Sequence, residues 1–182
     1  MVTDARGLKH ASNIPADPII EVEAASISMR HPIKAIGGAL KLARGTVTSK
    51  LYMQKFQPDV VVGFGGYPAF PAIRAAQSLG IPTVLHEQNA VLGRVNRAFA
   101  AKAYAVASGF ETLQRAPKGT NHICTGNPLR AQIMAAIPKA YAAPKTDIHL
   151  LVVGGSLGAK IVSETVPKAI SLLPTELQKR LV

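Results

Sequence analysis

Short β-branched runs alternate with helical patterns along this chain, and this alternation constrains the fold more than any other feature. The run at 59–62 (DVVV) is followed by a glycine loop and by a helical pattern that Gly80 ends. The run at 82–85 (PTVL) leads into a polar segment and another helical pattern near 92–101. Strands that are apolar on both faces are typical of buried parallel sheets. The sequence therefore predicts an α/β fold.

The segment before these repeats predicts a strand and a long helix. Residues 19–23 alternate apolar and polar side chains, as a strand does. Pro32 is acceptable at the first position of the helix that follows, and the Gly37-Gly38 pair is expected to break or kink it early. Apolar residues recur at helical spacing on one face of this helix: Ile33, Ile36, Leu40, Val47 and Leu51. Periodicity leaves open whether that face is core or membrane contact.

The chain changes character after residue 130. Residues 131–147 are rich in Ala, Lys and Pro and predict a linker. A buried strand is expected at 148–153, followed by a second glycine loop at 154–159 and a helix. One strand and one helix cannot bury their faces alone. We therefore expect an incomplete Rossmann-like domain at 1–130, a linker at 131–147 and a truncated second domain at 148–182. Further short strands are predicted at 104–107 and 123–124.

The net charge points to an anionic partner. The 182 residues include 21 Lys and Arg against 10 Asp and Glu, which gives +11. No acidic residue occurs between Ala24 and Pro58, a segment that holds Arg30, Lys34, Lys41, Arg44, Lys50 and Lys55. Trp is absent and no basic tail is present, which argues against nucleic acid. An anionic membrane surface and a phosphorylated substrate remain as candidates for the anionic partner.

Other patterns exclude several classes of protein. Cys124 is the sole cysteine, so there is no disulfide framework, and its apolar setting predicts core packing in a reducing compartment. No residues have metal-ligand spacing. No apolar run reaches about 18 residues, and the N-terminus lacks a signal peptide's apolar core, so any membrane contact is expected to be peripheral.

Four glycine-rich or polar segments are expected at the carboxyl edge of the sheet, where parallel α/β folds bind ligands. They are 63–67 (GFGGY), 86–89 (HEQN), 126–130 (GNPLR) and 154–159 (GGSLGA). A glycine loop that precedes a helix is typical of a phosphate-binding site. Alternatively, each of the two loops is only a tight turn between a strand and a helix. The polar run at 86–89 suits a polyhydroxylated ligand. Alternatively, Asn89 caps the next helix and Glu87 pairs with Arg94 or Arg97, while Arg130 is either an anion clamp or simply solvated.

Together these four segments resemble the MurG family, the undecaprenyldiphospho-muramoylpentapeptide β-N-acetylglucosaminyltransferases of peptidoglycan synthesis. The resemblance covers nearly the whole chain but only about half of the family's length. It implies a GT-B fold of two Rossmann-like domains. It also implies inverting transfer of N-acetylglucosamine from its UDP sugar to the 4-hydroxyl of the muramoyl sugar of lipid I, which gives lipid II. The resemblance further implies that the protein binds peripherally to the cytoplasmic face of the bacterial inner membrane.

The resemblance also implies roles for particular residues. Donor contacts correspond to Asn89, Arg130 and Ser156, with a donor loop at Gly154, Gly155 and Gly158. The loop that binds the acceptor diphosphate corresponds to Gly63, Gly65, Gly66 and Tyr67. The supporting positions are His86, Glu87 and Gln88. No metal and no other cofactor is implied, and the catalytic residue is not identified.

Two departures from the family pattern matter. Leu157 stands where the family usually has Gln, which puts one polar contact beside the donor in doubt. The family's N-terminal glycine loop, with its histidine, and most of the donor domain are missing, so we expect the chain alone to be inactive. Two rivals remain: another GT-B enzyme such as a UDP-sugar 2-epimerase, and a basic α/β module that binds nucleotide or membrane without catalysis.

Overall fold

The computed structural model of the chain describes residues 1–11, 14–25, 32–137, 143, 145–154 and 159–182. These residues form two compact units, Met1–Pro128 and Leu129–Val182. The elements of the first unit follow in chain order: β1 Val2–Thr3, α1 Ala5–Leu8, β2 Ile20–Glu21, α2 Pro32–Phe56, β3 Val61–Gly63, α3 Gly66–Ser78, β4 Thr83–Glu87, α4 Arg94–Ala100, β5 Ala105–Ser108 and β6 His122–Cys124.

The strands of the first unit form two parallel sheets. One has the order β3-β4-β5-β6, and the other pairs β1 with β2. In the larger sheet Gly63 lies beside Leu85, and Leu85 lies beside Val106. The strands therefore run in one direction and end at one edge, as the sequence predicted. The α/β fold with a parallel sheet is confirmed.

The main core lies on one face of the larger sheet, beneath α3 and α4. Leu85, Val106 and Ile73 are fully buried there, with Leu92, Val95 and Phe99 around them. On the opposite face of the sheet, Val62 of β3 is 51% exposed and Ile123 of β6 is 50% exposed. Parallel sheets are normally covered on both faces, so the exposure of this side among the described residues is an unusual feature of the unit.

Helix α2 begins at Pro32, as predicted, but the break expected at Gly37-Gly38 does not occur. The helix continues without interruption for 25 residues. Its inner side packs on α3 and buries Leu42, Ser49 and Met53. This packing stabilises the helix, which outweighs the flexibility that two glycines bring. The apolar face predicted from periodicity is the outer one, because Ile36, Leu40, Val47 and Leu51 are 56–64% exposed.

Cys124 was expected in the core, and this expectation is wrong because the thiol is exposed. It lies in β6, the edge strand of the larger sheet, where no further strand or helix covers it among the described residues. Within the described ranges, no helix is both long enough and apolar enough to span a bilayer.

The second unit contains α5 Ala131–Ala136, α6 Ala159–Ser171 and α7 Thr175–Gln178. Helix α5 falls in the stretch expected to be a linker. The buried strand expected at 148–153 is wrong: only an isolated bridge joins Ile148 to Leu181, and Leu151 is 85% exposed. A strand needs a paired neighbour, and the described part of this unit offers it no sheet to join. Gly155, Ser156, Leu157 and Gly158 lie outside the described residues.

Candidate functional site

The carboxyl edge of the larger sheet collects three of the predicted segments. The loop after β3 begins at Gly63, the polar segment closes β4 at His86 and Glu87, and Gly126 follows β6. Parallel strands deliver these segments to one place because their carboxyl ends share an edge. Hydrogen bonds between the segments then hold them as one surface, and Glu87 is its most highly connected side chain.

Glu87 is buried and accepts four hydrogen bonds. Its Oε1 receives the backbone N–H of Asn89 at 3.2 Å and the Asn89 side-chain Nδ2 at 3.0 Å. Its Oε2 receives the Gly93 N–H at 2.9 Å and Asn96 Nδ2 at 3.0 Å. Burial alone would raise the pKa of Glu87, but these hydrogen bonds from Gly93, Asn89 and Asn96 outweigh it and the pKa is lowered. The carboxylate therefore stays ionised and fixes the turn that follows β4.

Asn89 is exposed at the surface of this turn, and Glu87 sets its orientation. Because Glu87 holds the amide nitrogen, Asn89 has its amide oxygen to offer to a ligand. Asn89 does not cap the next helix, since α4 has Gly93 at its N-cap without a side-chain cap. The alternative pairing of Glu87 with Arg94 or Arg97 does not occur either, because its partners are amides.

His86 and Gln88 join the neighbouring loops. Nε2 of the buried His86 lies 3.1 Å from the carbonyl oxygen of Gly126, which requires a proton on Nε2. Nε2 of Gln88 lies 3.2 Å from His86 Nδ1 and donates to the Phe64 carbonyl at 3.3 Å. Asn127 Nδ2 donates to the Gln88 carbonyl at 3.1 Å. These contacts join the segment after β4 to the loops after β3 and β6.

The glycine loop after β3 leads directly into α3. Gly65 and Gly66 have φ values of 76 and 70 degrees, a left-handed backbone conformation that residues with a Cβ atom rarely adopt. A Cβ on Gly65 would also lie 2.9 Å from Asn96 Nδ2. No side chain caps α3, whose start carries the partial positive charge of the helix. Pro68 has no N–H, so Gly66 and Tyr67 supply the N–H groups of the first turn. Tyr67 is half-buried and packs against the main core.

The remaining predicted residues lie outside the described part of the first unit. Arg130 and Gly154 belong to the second unit, where Arg130 is exposed at the N-cap of α5. Ser156, Gly155 and Gly158 fall on residues that the structure does not describe. Their roles as donor contacts stay predictions. Within the described part of the chain, no cluster of three or more His, Cys, Asp or Glu could hold a metal ion.

Sequence reasoning missed Asn96. This side chain is 3% exposed and donates both to Glu87 and to the His86 carbonyl at 3.1 Å. A signal was present, because Asn96 interrupts the apolar face of α4 between Leu92, Val95 and Phe99. A buried amide on an apolar helix face must find polar partners, so the pattern indicated a buried polar contact but not which groups would make it.

Comparisons with known proteins identify the family to which the chain is similar. The profile of the glycosyltransferase family 28 N-terminal domain matches residues 4–108. The chain is 54% identical over 185 residues to the "UDP-N-acetylglucosamine--N-acetylmuramyl-(pentapeptide) pyrophosphoryl-undecaprenol N-acetylglucosamine transferase" of Maricaulis maris, covering 100% of this chain and 50% of that protein. It is 41% identical over 184 residues to the Caulobacter vibrioides protein of the same name, covering 100% and 51%.

A solved structure agrees with these relatives. The crystal structure of Acinetobacter baumannii MurG is similar with a TM-score of 0.62 and 30% identity, covering 92% of this chain and 44% of that one. The chain spans about half the length of the curated relatives it matches. Because the family profile covers more than half of the chain, we conclude that the resemblance to MurG is confirmed and that the chain belongs to glycosyltransferase family 28.

Proposed function

We propose that this chain is part of an inverting glycosyltransferase that moves N-acetylglucosamine from UDP-N-acetylglucosamine to the 4-hydroxyl of the muramoyl sugar of lipid I, forming lipid II. The observation that carries the proposal is the 54% identity to the Maricaulis maris transferase over the whole chain. The hydrogen-bonded loops at the sheet edge support it, because they present amides and helix N–H groups to one surface.

On this proposal the donor contacts are Asn89, Arg130 and Ser156, with the donor loop of Gly154, Gly155 and Gly158. Asn89 would offer its amide oxygen to the sugar nucleotide. Arg130 would pair with the diphosphate. His86, Glu87 and Gln88 act as positioning residues. The domain boundaries at 130 and 147 form part of the same proposal.

The acceptor diphosphate is proposed to bind the loop of Gly63, Gly65, Gly66 and Tyr67. Its support is the uncapped start of α3, since the N–H groups of a helix start and its positive end suit a phosphate. Glycines with positive φ allow the backbone to approach the ligand closely. The leaving group of the reaction is the UDP of the donor and not this diphosphate, so the loop would hold the acceptor in place without taking part in bond breaking.

The outer face of α2 is proposed as a peripheral contact with an anionic membrane, where the lipid acceptor would be found. Leu40, Val47 and Leu51 form an exposed apolar stripe along this face. Basic residues border the stripe, and by helical spacing Lys50 lies on one side while Lys41, Arg44 and Lys55 lie on the other. An apolar stripe with basic borders favours binding in the interface of an anionic bilayer. The cytoplasmic face of the inner membrane would be its location.

The reaction is tested by measuring UDP release from UDP-N-acetylglucosamine with and without a lipid I analogue, using a form extended at both ends. We expect release to depend on the acceptor and the chain alone to be inactive. Release without an acceptor would indicate an epimerase-like enzyme. An absence of release and of nucleotide binding in the extended form would leave only a non-catalytic module.

Donor binding is tested by calorimetry with UDP and UDP-N-acetylglucosamine on this chain and the extended form. Asn89→Ala should weaken binding by about 10-fold or more in the extended form, which corresponds to one lost hydrogen bond. Asn121→Ala is the matched control, because Asn121 is exposed at the opposite end of β6 and donates only to the Tyr104 carbonyl among the bonds seen. Equal effects of the two variants would remove Asn89 from the donor site.

Membrane binding is tested by sedimentation with phosphatidylglycerol vesicles and with phosphatidylcholine vesicles. Leu40→Gln and Leu51→Gln should each lower binding to the anionic vesicles, and so should the double variant Lys41→Gln/Arg44→Gln. The double variant should lose about 10- to 30-fold, since each basic residue near such a surface contributes roughly 1 kcal/mol. Leu8→Gln, a half-exposed position on α1, serves as the control. Wild-type binding by all of the α2 variants would reject this contact.

A further inference from the structure

The loop after β6 is anchored to the neighbouring strand ends immediately before Asn127. The N–H groups of Thr125 and Gly126 donate to the Ser108 carbonyl at 2.9 and 3.1 Å. On the other side, Nε2 of His86 lies 3.1 Å from the Gly126 carbonyl oxygen. The backbone therefore brings the Asn127 side chain to a defined place beside the loops that follow β4 and β5.

The Asn127 side chain lies against Gly109, the residue that follows β5. A Cβ atom at Gly109 would lie 2.5 Å from Cγ and 2.7 Å from Nδ2 of Asn127, and closer still to its Oδ1. These are the three atoms nearest to such a Cβ, and all are closer than Cβ atoms in proteins approach other groups. Gly109 is not among the glycines with positive φ. Its missing side chain therefore serves to leave room for Asn127.

Asn127 uses this place to hold the peptide bond that precedes Asn89. Its Nδ2 donates to the Gln88 carbonyl at 3.1 Å. The N–H of the same peptide bond, which belongs to Asn89, donates to Oε1 of Glu87 at 3.2 Å. Both ends of the peptide bond between Gln88 and Asn89 are thus held by side chains. The plane of this peptide sets the direction in which the Asn89 side chain leaves the backbone.

We propose that Asn127 is a positioning residue that fixes the orientation of Asn89 for the donor. Glu87 holds the N–H and the Nδ2 of Asn89 through a single oxygen atom, Oε1. One oxygen leaves the peptide free to turn about it, and the bond from Asn127 removes this freedom. A group that is already held in its binding orientation loses less entropy when the ligand binds. The effect on donor binding rests on the proposed function, whereas the effect on Asn89 itself does not.

A matched control separates this role from a merely structural one. Asn127 is exposed and donates to a main-chain carbonyl, and so does Asn121 at the opposite end of β6, where it bonds the Tyr104 carbonyl at 2.9 Å. An exposed bond of this kind contributes little to stability. Asn127→Ala and Asn121→Ala should therefore lower the melting temperature by similar small amounts, and only the first should affect Asn89.

The orientation of Asn89 is tested in the present chain by NMR relaxation. Asn127→Ala removes the bond to Gln88, and Asn127→Asp keeps the size of the side chain but cannot donate at neutral pH. In both variants the order parameter of the Asn89 N–H should fall from about 0.85 toward about 0.6. Asn121→Ala should leave it unchanged. An unchanged order parameter in both Asn127 variants would overturn the proposal.

Donor binding is tested by calorimetry with UDP-N-acetylglucosamine on the extended form. Asn127→Ala should weaken binding by about 3- to 10-fold. Because Asn127 acts through Asn89, it should have less than about a 2-fold effect once Asn89→Ala is present. Fully additive effects would overturn the positioning role. If the wild-type extended form binds no donor, the proposed function fails, and the NMR comparison still decides whether Asn127 orients Asn89.

Gly109→Ala is an independent perturbation, because its Cβ displaces Asn127 without removing the amide. It should weaken donor binding about as much as Asn127→Ala does. The double variant should bind no more weakly than either single variant, since both changes break the same bond. An effect of Gly109→Ala that persists in full beside Asn127→Ala would contradict the contact on which the positioning depends.

Discussion

At the scale of single residues, Glu87 organises the candidate site without being an obvious catalyst. The sequence placed it correctly in a polar segment after a buried strand, because such segments are rare and strand ends carry function. Its partners could not be predicted, since Gly93 and Asn96 reach it only through the turn into α4. Side-chain pairing depends on a turn geometry that a linear pattern does not specify.

Glu87→Gln should destabilise the first unit by about 1–3 kcal/mol at neutral pH, because an amide cannot accept all four donors. The folded-state pKa of Glu87 is lowered from 4.5, so the carboxylate's stabilisation is present above that value and is lost as pH falls through the folded pKa. The difference between wild type and variant should therefore shrink below about pH 4.5. Urea unfolding from pH 3 to pH 8 measures it, with the exposed Glu111→Gln as control. A constant difference across this range would contradict the assignment.

Gly65→Ala should cost about 2 kcal/mol or more. The substitution strains a backbone with positive φ and brings a Cβ 2.9 Å from Asn96 Nδ2, which Glu87 holds. Gly80→Ala is the control, because Gly80 has a φ of 73 degrees but a Cβ there meets nothing within 4 Å. It should cost only about 1–2 kcal/mol. Thermal unfolding of both variants checks the order, and equal losses would show that the Asn96 contact does not constrain Gly65.

At the scale of elements, α2 shows what periodicity can and cannot decide. The spacing of Leu40, Val47 and Leu51 predicted a helix with an apolar face, and the helix is present. The core lies on the other side, where Gly45 and Ser49 permit close approach to neighbouring segments. Leu42 and Met53 are also buried on that side, but Gly45 and Ser49 between them give only a weak hydrophobic signal. The orientation of the helix therefore could not be predicted from its larger apolar residues.

Two glycines of α2 should respond to alanine in opposite directions. Gly37→Ala should stabilise the unit by about 0.5–1 kcal/mol, since a Cβ at Gly37 meets nothing within 4 Å and alanine favours helix. Gly45→Ala should destabilise it by about 1–3 kcal/mol, because its Cβ would collide with the Glu23 carbonyl and contact Pro71. Urea unfolding of each variant is the measurement. Stabilisation by both would mean that the inner face of α2 is not packed as described.

At the scale of the whole molecule, alternation of strands and helices was enough to predict a parallel α/β fold. It failed at 148–153, where an apolar run predicted a buried strand but an isolated bridge is found. Such a run becomes a strand only if neighbours pair with it, and pairing is a property of the rest of the chain. None of the described residues beyond Pro128 is buried, whereas the first unit has two buried clusters.

Native-state hydrogen exchange of the whole chain should reveal this asymmetry. Amides of β4 and α3 should be protected close to the global stability, while those of α6 should exchange at least about 100-fold faster. The reason is burial, because α6 covers no core among the described residues of its unit. Equal protection in α6 and β4 would show that the second unit gains stability from contacts that its own packing does not provide.

The exposed thiol of Cys124 has a practical consequence for studying this molecule. It is the sole cysteine of the sequence, so a maleimide dye or nitroxide would attach at one defined position without any background substitutions. The residue stands two positions before Gly126, whose carbonyl lies 3.1 Å from Nε2 of His86. A reporter there would sit beside the loops at the sheet edge while the sheet itself stays undisturbed. Fluorescence changes on adding a sugar nucleotide would then report whether these loops respond to it in the present chain.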